Sequence, residues 1–316
     1  MFSGLPKTLQ DAIVFFSDED VCIQLVARLR WREGNPVCPH CEGLEHSYLS
    51  TRKIWKCRAC KKQFSVKYNT IFEDSPLGLD KWLTAIWMIA NCKNGVSSYE
   101  IHRALGITQK SAWFMLHRIR LAMQAGSIEK LAGTIEADES FIGGDAKNMH
   151  RTKRERFQSK WKRQHKTKDH KTAVFGMVQR GGKVRAKVID RVRNIDVEPI
   201  IHENIEHKSE VFTDQSIIYR NLYERYVHET VNHSIEYVRG HVHTNSIENY
   251  WSLLKRTIKG TYVSVAPEHL QAYVEEQSFR FNERKGTDLT RFLEMIRSIS
   301  GKRLTYQQLI GYETNH

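Results

Sequence analysis

Four of the six cysteines form two Cys-x-x-Cys pairs, Cys38 with Cys41 and Cys57 with Cys60, and fifteen residues separate the pairs. Each pair bends the chain so that two thiolates converge, and two such pairs supply the tetrahedral sulfur set of a structural zinc site. In a reducing compartment this spacing is typical of a metal site rather than of disulfides. His40, inside the first pair, is an alternative ligand. The pattern predicts bound zinc without assigning a function.

Three acidic residues that are far apart in the chain, Asp138, Asp214 and Glu248, form a second candidate set. Asp138 is predicted near the end of one strand, and Asp214 at the end of another. A carboxylate at the end of a buried strand is costly unless a cation or hydrogen-bond donors surround it. Turns and helix caps explain most isolated aspartates, so the three acids carry weight only as a group.

The third acid stands in an amphipathic segment, HTNSIENYWSLLKR, which predicts a helix over residues 243–258. Apolar residues at helical spacing form its buried face: Ile247, Tyr250, Trp251, Leu254 and Ile258. Glu248 lies at the edge of that face, directed along the sheet toward the strand ends. Lys255 follows seven residues later, about two helical turns, and shares the side of Glu248. Lys255 and Arg256 could therefore reach a phosphate while Glu248 reaches a metal.

The elements that must position these acids alternate between strands and helices. Strands are predicted at 134–143, 171–180, 183–190, 210–216 and 228–233, and helices at 197–205 and 217–225. The Gly181-Gly182 pair between two of the strands is typical of a tight hairpin. This order predicts a mixed α/β sheet covered by helices, in which chemistry collects at the strand ends.

Residues 78–126, between the cysteines and the predicted sheet, carry the signals of a helix-turn-helix. Ser97 or Ser98 caps a first helix, Gly106 makes the turn, and Thr108 caps a second helix. The pattern is typical of DNA-binding proteins, although a plain helical hairpin has the same signals. In a DNA-binding motif the second helix would present polar, basic and aromatic side chains to a groove: Gln109, Lys110, Trp113 and Arg118.

The charge of the chain also favours nucleic acid as a partner. The net charge is +13 and the isoelectric point is about 9.4. Residues 147–171 contain eleven Lys or Arg and two acids, which predicts either a phosphate-gripping loop or a disordered basic insertion. There is no apolar run long enough to span a bilayer and no secretory signal pattern, so we expect a soluble, cytoplasmic protein without a membrane partner.

In combination these motifs resemble the DDE transposases and retroviral-type integrases, and in particular a branch of bacterial insertion-sequence transposases with an N-terminal zinc ribbon. The resemblance rests on the spacing D-x75-D-x33-E and on a lysine seven residues after the glutamate. It also rests on the blocks EADESFIGG, FTDQS, HTNSIENYWSLLKRTIKGTY and FRFNERK. It covers residues from about 37 to 285.

The resemblance implies an RNase H-like fold, preceded by a small zinc ribbon and a helix-turn-helix domain. The expected segments are an N-terminal helical part at 1–34, the ribbon at 35–72, the helix-turn-helix at 78–126, the catalytic domain at 132–286 with a basic insertion at 144–170, and a tail at 287–316. We expect that tail to be a short helix and a loop with no catalytic residue.

The family's chemistry is metal-dependent cleavage and strand transfer of insertion-sequence DNA, by two-metal phosphoryl transfer. Asp138 would bridge two Mg²⁺ or Mn²⁺ ions, and Asp214 and Glu248 would each complete one side. Asn245 is an expected neighbour of Glu248. His241 and His243 are candidates for contacting the scissile phosphate or relaying a proton, or are structural histidines. The sequence assigns no role to Asn282.

The implied partners are DNA, both the element ends and the target, and further copies of the chain assembled on DNA. No small-molecule substrate is expected, and the implied location is the nucleoid of a bacterial cytoplasm. Two other functions fit the same residues. One is a transposase-derived DNA-binding protein without catalysis, and the other is a metal-dependent nuclease that does not join ends.

Overall fold

The computed structural model describes residues 4–31, 34–124, 129–144, 150–152, 154, 155, 171–231 and 242–311. The chain forms two compact units, one of Met1–Gln124 with Glu283–His316 and one of Ala125–Asn282. Most of the predicted basic insertion at 144–170 lies outside the described residues, and so does His241. No helix within the described ranges has the length and apolar character needed to cross a membrane.

The helices and strands have the following bounds. The α-helices are α1 (Leu9–Phe16), α2 (Glu19–Arg30), α3 (Leu79–Asn91), α4 (Ser98–Leu105), α5 (Gln109–Met123), α6 (Asn194–Asn204), α7 (Asn245–Thr257), α8 (Leu270–Asn282), α9 (Asp288–Arg297) and α10 (Tyr306–Leu309). The strands are β1 (His46–Leu49), β2 (Ile54–Cys57), β3 (Gln63–Phe64), β4 (Thr134–Ile142), β5 (Thr172–Gln179), β6 (Val184–Ile189), β7 (Glu210–Asp214) and β8 (Val227–Val231).

The first unit has an aromatic core that joins both ends of the chain. The rings of Phe16 in α1 and Phe292 in α9 lie 5.2 Å apart, and Phe292 lies 5.4 Å from Trp87 in α3. All three side chains are buried. The segment expected as a tail of one short helix and a loop therefore contains α9 and α10, and α9 contributes to the core of the first unit.

The predicted helix-turn-helix signals are confirmed as local structure. Ser97 caps α4 in a capping box with Glu100, and Thr108 caps α5. Gly106 lies between the two helices with φ 61°, a left-handed conformation that favours glycine. The helix α5 that follows is mostly buried along its second half, because its apolar residues pack within the first unit.

The second unit is a mixed sheet with the order β6-β5-β4-β7-β8. The pairs β4–β5 and β5–β6 are antiparallel, whereas β4–β7 and β7–β8 are parallel. One face packs on α6 through a cluster that includes Ile135, Phe175 and Ile201. The other face packs on α7 and α8 through a cluster that includes Val174 and Trp251. This arrangement is the predicted RNase H-like fold.

Two predicted elements differ in the structure. The helix expected at 217–225 is a pair of 3₁₀ turns, Ile217–Tyr219 and Leu222–Glu224. Tyr219 and Leu222 are both buried, and a spacing of three residues suits the 3₁₀ repeat. The helix expected at 243–258 begins at Asn245 and passes after Thr257 into a π turn, Ile258–Tyr262.

Candidate metal centres and nucleic-acid contacts

The four cysteines form a compact sulfur cluster beside the three-stranded ribbon. Cys38 Sγ lies 3.6 Å from Cys60 Sγ, Cys41 Sγ lies 3.6 Å from Cys57 Sγ, and all four sulfurs lie within 4.8 Å of one another. A tetrahedron with zinc–sulfur bonds of about 2.3 Å has edges of about 3.8 Å. A backbone hydrogen bond from Cys60 lowers the pKa of the Cys57 thiol to about 7. The cluster fits a structural zinc ion with four thiolate ligands and no histidine.

Asp138 and Asp214 occupy matching positions on neighbouring parallel strands. Glu136 of β4 pairs with Phe212 of β7, and the two aspartates each stand two residues further along. Residues two apart on a strand point to the same face, and adjacent strands lie about 4.8 Å apart. The register therefore directs both carboxylates to the same face of the sheet, and the charge of Asp214 is near enough to raise the pKa of Asp138.

Asp138 was predicted near the end of its strand, and that prediction is wrong. Asp138 is the fifth of nine residues of β4, which extends to Ile142. The prediction missed that β7 pairs only with the first three residues of β4 and ends at Asp214. Asp138 is therefore level with the end of the neighbouring strand β7 rather than near the end of its own strand.

A tryptophan from α7 holds the carboxylate of Asp138. The Trp251 indole Nε1 donates a hydrogen bond to Asp138 Oδ2 at 2.9 Å. Gly176 stands opposite Asp138 on β5, and a Cβ at that position would lie 2.7 Å from the Trp251 ring. The glycine is therefore needed for the indole to lie against the sheet. From the sequence, Trp251 was expected only as an apolar residue facing the core.

The electrostatics of Asp138 indicate a site that is short of positive charge. Burial raises the pKa of the Asp138 carboxyl to about 6, and the charges of Asp214 and Glu248 raise it as well. The hydrogen bond from Trp251 acts in the opposite direction. Oxygen ligands in a partly buried acidic group suit Mg²⁺ or Mn²⁺, because a divalent cation would offset the repulsion between the acids.

Glu248 approaches this group from the first turn of α7. Its side chain is exposed, and Thr244 Oγ1 donates a hydrogen bond to Glu248 Oε1 at 3.0 Å. Within the described ranges the cysteines are the only set of three or more potential ligands gathered within 4.8 Å, so the acids are spread more widely than the sulfurs.

Two further acids of β4 were not predicted as part of the site. Glu139 faces the opposite side of the sheet, where Tyr219 OH donates to its Oε2 at 2.6 Å, and burial raises its pKa to about 7. Glu136 faces α7 and is completely buried. Both acids belong to the sequence block EADES. That block alone does not reveal the strand register, which gives the two acids different surroundings.

The structure defines the surroundings of three polar residues near the acids in the sequence motifs, namely His243, Asn245 and Asn282. The Nδ1 atom of His243 lies 3.3 Å from Glu136 Oε1, so the ring faces an internal carboxylate. Asn245 is exposed at the start of α7. Asn282 pairs with the edge of the sheet: Val184 N donates to its Oδ1 at 2.7 Å, and its Nδ2 donates to Val184 O at 3.1 Å. Asn282 therefore completes strand β6 and is removed from the candidate site.

Lys255 and Arg256 are exposed on α7, on the helix that carries Glu248. In the helix-turn-helix, Gln109 Nε2 donates to Ser98 Oγ at 2.9 Å, which links the two helices. Lys110 is exposed, and its Nζ lies 4.6 Å from the centre of the Tyr306 ring.

The other two candidates of α5 are less accessible. Trp113 is half-buried with its ring 4.6 Å from that of His117. Arg118 is only 4% exposed; its guanidinium lies over the ring of Trp82 and donates to the carbonyl of Glu73. Arg118 was predicted to contact DNA, and its burial removes it from the surface that a groove could meet.

Comparison with known proteins adds the family. Residues 130–282 match the model of the ISXO2-like transposase domain, and residues 17–63 match the transposase zinc-ribbon domain. A protein of Halobacterium salinarum described as "Uncharacterized protein in transposable element ISH50" is 25% identical over 276 residues, which cover 84% of this chain and 91% of that protein. An "Uncharacterized transposase-like protein" of Haemophilus influenzae is 32% identical over 101 residues, 32% of this chain and 81% of that protein. The chain therefore belongs to the ISXO2-like transposases that carry an N-terminal zinc ribbon.

Proposed function

We propose that the protein cleaves insertion-sequence DNA at the element ends and joins those ends to a target, with Asp138, Asp214 and Glu248 as the catalytic residues. The observation that carries the proposal is the matched position of Asp138 and Asp214 on parallel strands, beneath the helix that presents Glu248. No two of these acids are close in sequence, so only the fold brings them together.

Each residue of the site has a definable task in phosphoryl transfer. Divalent cations bound by the acids would activate the attacking oxygen and stabilise the leaving oxygen. Asp138 is partly buried, and the Trp251 indole holds its carboxylate in place. Thr244 orients Glu248. Lys255 and Arg256 supply positive charge to the phosphates on the exposed side of α7.

DNA recognition is assigned to the first unit and to the exposed charge of the second. Gln109 and Lys110 remain the candidates of the helix-turn-helix for groove contacts, and Trp113 contributes at most one edge. Arg118 is left out because it is buried. The net charge of +13 supports a polyanionic partner. Joining two ends usually takes at least two protomers, so we expect the chain to assemble on DNA, in the compartment that holds the genome.

The test is the substitution Asp138→Asn, which keeps the shape of the side chain and removes its charge. We expect strand transfer with Mg²⁺ to fall on the order of a thousandfold, equal to about 4 kcal/mol of transition-state stabilisation. Binding to an end-bearing DNA fragment should remain within a few-fold. The matched control is Glu203→Gln on α6, an exposed acid in the same unit, which should leave both measurements unchanged.

The same assay separates the two rival functions. A binding protein without catalysis would give no product with the wild-type chain in Mg²⁺ or Mn²⁺. A nuclease would release nicked DNA but no joined product when a target plasmid is present. Joined product from the wild-type chain that persists in Asp138→Asn would remove Asp138 from the catalytic set.

A further inference from the structure

Glu136 is a buried carboxylate that phosphoryl transfer does not require. It lies on β4 two residues before Asp138, so the two side chains leave the same face of the sheet. Its side chain is 0% exposed. An ionised group in such surroundings destabilises a fold unless donors surround it, so its contacts explain why it is tolerated.

The donors that Glu136 meets belong to the beginning of α7. Ser246 N donates to Glu136 Oε2 at 2.6 Å, and Ile247 N donates to the same oxygen at 3.1 Å. These residues are the second and third of the helix, whose free N–H groups are normally bound by the side chain of the capping residue. The negative charge of Glu136 also lies at the positive, N-terminal end of the helix dipole, which is a favourable interaction. A strand carboxylate therefore takes the place of a helix cap.

The residue at the capping position of α7 has a different partner. Thr244 makes no side-chain capping bond, and its Oγ1 instead donates to Glu248 Oε1 at 3.0 Å. A threonine used as a helix cap accepts from the backbone and is held beside it. Because Glu136 satisfies those backbone groups, the Thr244 hydroxyl is available to orient the third acid.

Positive charge on the other side of Glu136 completes the arrangement. Arg180 Nε donates to Glu136 Oε1 at 2.7 Å, and Arg180 also donates to the carbonyl of His243 at 2.9 Å. Arg180 directly follows β5, so this arginine ties the chain just before α7 to the sheet. The first turn of α7 is thus fixed to β4 through its backbone and to β5 through the residue before its cap.

We propose that Glu136 is a positioning residue for metal binding. It fixes the first turn of α7 against β4, so that Glu248, oriented by Thr244, is presented to the cations that Asp138 and Asp214 also hold. This inference rests on the proposed function, because it assumes that the three acids bind a common pair of cations. It differs from a purely structural role in one respect: removing the charge should weaken metal binding more than a loss of stability explains.

The chain offers a closely matched control in Glu276 of α8. Glu276 is also 0% exposed, and it too is paired with an arginine, Arg280, and accepts from a second donor, Tyr262. Arg280 belongs to α8 and Tyr262 to the π turn, whereas the backbone donors of Glu136 belong to the first turn of α7. Glu136→Gln and Glu276→Gln therefore remove equivalent buried charges in the same unit.

The experiment compares Mn²⁺ affinity by calorimetry with amide hydrogen exchange at Ser246 and Ile247. We expect Glu136→Gln to weaken Mn²⁺ binding about tenfold and to speed exchange at those two amides, since partners that orient metal ligands contribute 10- to 100-fold in affinity. Glu276→Gln should lower the melting temperature with Mn²⁺ affinity unchanged. Thr244→Val, which keeps the shape of threonine, should weaken Mn²⁺ binding by a smaller factor without speeding exchange at Ile247.

Two results would overturn the inference. One is Mn²⁺ affinity within twofold of wild type in a folded Glu136→Gln protein. The other is an equal loss of affinity in Glu276→Gln, which would show that any buried charge in this unit has the effect. Should Glu136→Gln fail to fold, Thr244→Val decides, and unchanged affinity there counts against the proposal. If wild type and Asp138→Asn bind Mn²⁺ equally, the proposed function fails instead, while the exchange measurement still reports whether Glu136 fixes α7.

Discussion

The four cysteines come from residues 38–60, whereas the three acids come from residues 138–248 and from three separate elements. The sulfurs lie within 4.8 Å of one another next to a ribbon of short strands. The acids are spread more widely and depend on a strand register, on Gly176 and on the fixed first turn of α7. One site is made by local turns, and the other is made by a whole domain.

This difference implies that a metal ion would have a different effect on stability at each of the two sites. At the cysteines a bound ion would supply stability, because four thiolates held within 4.8 Å repel one another without a cation and the unfolded chain has no preformed site. At the acids the surrounding fold supplies the stability. The ionised acids lower that stability, because burial and mutual repulsion disfavour the charged form of Asp138 and so raise its pKa. Removing metal should therefore unfold the ribbon, whereas the domain that carries the acids should lose stability but stay folded.

The largest expected effect follows from loss of zinc. Replacing Cys57 with Ser should abolish zinc binding and unfold the ribbon, since the binding free energy of a structural zinc is on the order of 10 kcal/mol. The measurement is one bound zinc per chain in the wild type and none in the variant, with loss of protected amides in β1 and β2. Cys92→Ser is the control, because Cys92 is outside the sulfur cluster.

The comparison would break down if the ribbon kept its protected amides after zinc had been removed. The ribbon would then hold its own shape, and the cysteines would resemble the acids in depending on the surrounding fold. Added Mg²⁺ should not restore the ribbon in either case, because magnesium prefers oxygen ligands.

A smaller effect concerns pH and metal-free stability. The pKa of Asp138 is raised to about 6 in the folded chain from an ordinary value of 3.8, so the folded state holds this proton more tightly than the unfolded state does. The contribution of Asp138 to stability is therefore greatest at low pH and is lost as the pH rises from about 4 to about 7, by about 2–3 kcal/mol. Asp138→Asn should remove this dependence.

The measurement is the free energy of unfolding of wild type and Asp138→Asn at pH 4.5 and pH 7.5 without divalent cation. We expect the variant to gain stability relative to wild type as the pH rises, and Mn²⁺ to reverse the gain. The cysteine site should respond in the opposite direction, with zinc released as the pH falls and the thiolates take up protons. A pH-independent difference between the two proteins would mean that Asp138 is not strained by its neighbours.

The contrast also explains what could be predicted from the sequence. The clustering of the four cysteines needed only their spacing, and the two helices with their turn needed only caps and one glycine, so the structure agrees with both local predictions. The alternation in TIEADES separates two faces of β4, but it does not say what covers each face. Glu136 reads as a solvated residue until α7 is placed over it, and the register of β4 with β7 is a property of the folded sheet.

Arg118 shows the same limit of prediction from the sequence, because a residue expected at the surface is buried. Its charge suggested DNA contact, yet Met115, Arg118 and Ala122 are spaced so that they share one side of α5, and that side is buried. Apolar residues surround Arg118 on that side, and the arginine joins them because Trp82 and a backbone carbonyl receive its guanidinium. Such partners come from other elements and are not visible in the pattern of one helix.

The smallest expected effect concerns backbone strain, which also distinguishes the two regions. Near the cysteines, Lys61 directly follows Cys60 with φ 59°, a left-handed conformation that a lysine adopts at modest cost. After α7, Val263 has φ 62° and ψ −53°, and Ser264 N donates to Tyr262 O at 2.6 Å, so a β-branched residue occupies a tight γ-turn. The side chain of Val263 is 77% exposed.

Val263→Gly should therefore stabilise the chain by about 1 kcal/mol, because relief of 1–3 kcal/mol of strain outweighs the added entropy of glycine in the unfolded state. Lys61→Gly should change stability by less than about 0.5 kcal/mol, because the two terms nearly cancel there. The measurement is the denaturant midpoint of each variant with zinc bound. Equal effects in the two variants would mean that the backbone at Val263 is no more strained than the backbone at Lys61. Backbone strain would then not distinguish the domain that carries the acids from the zinc ribbon.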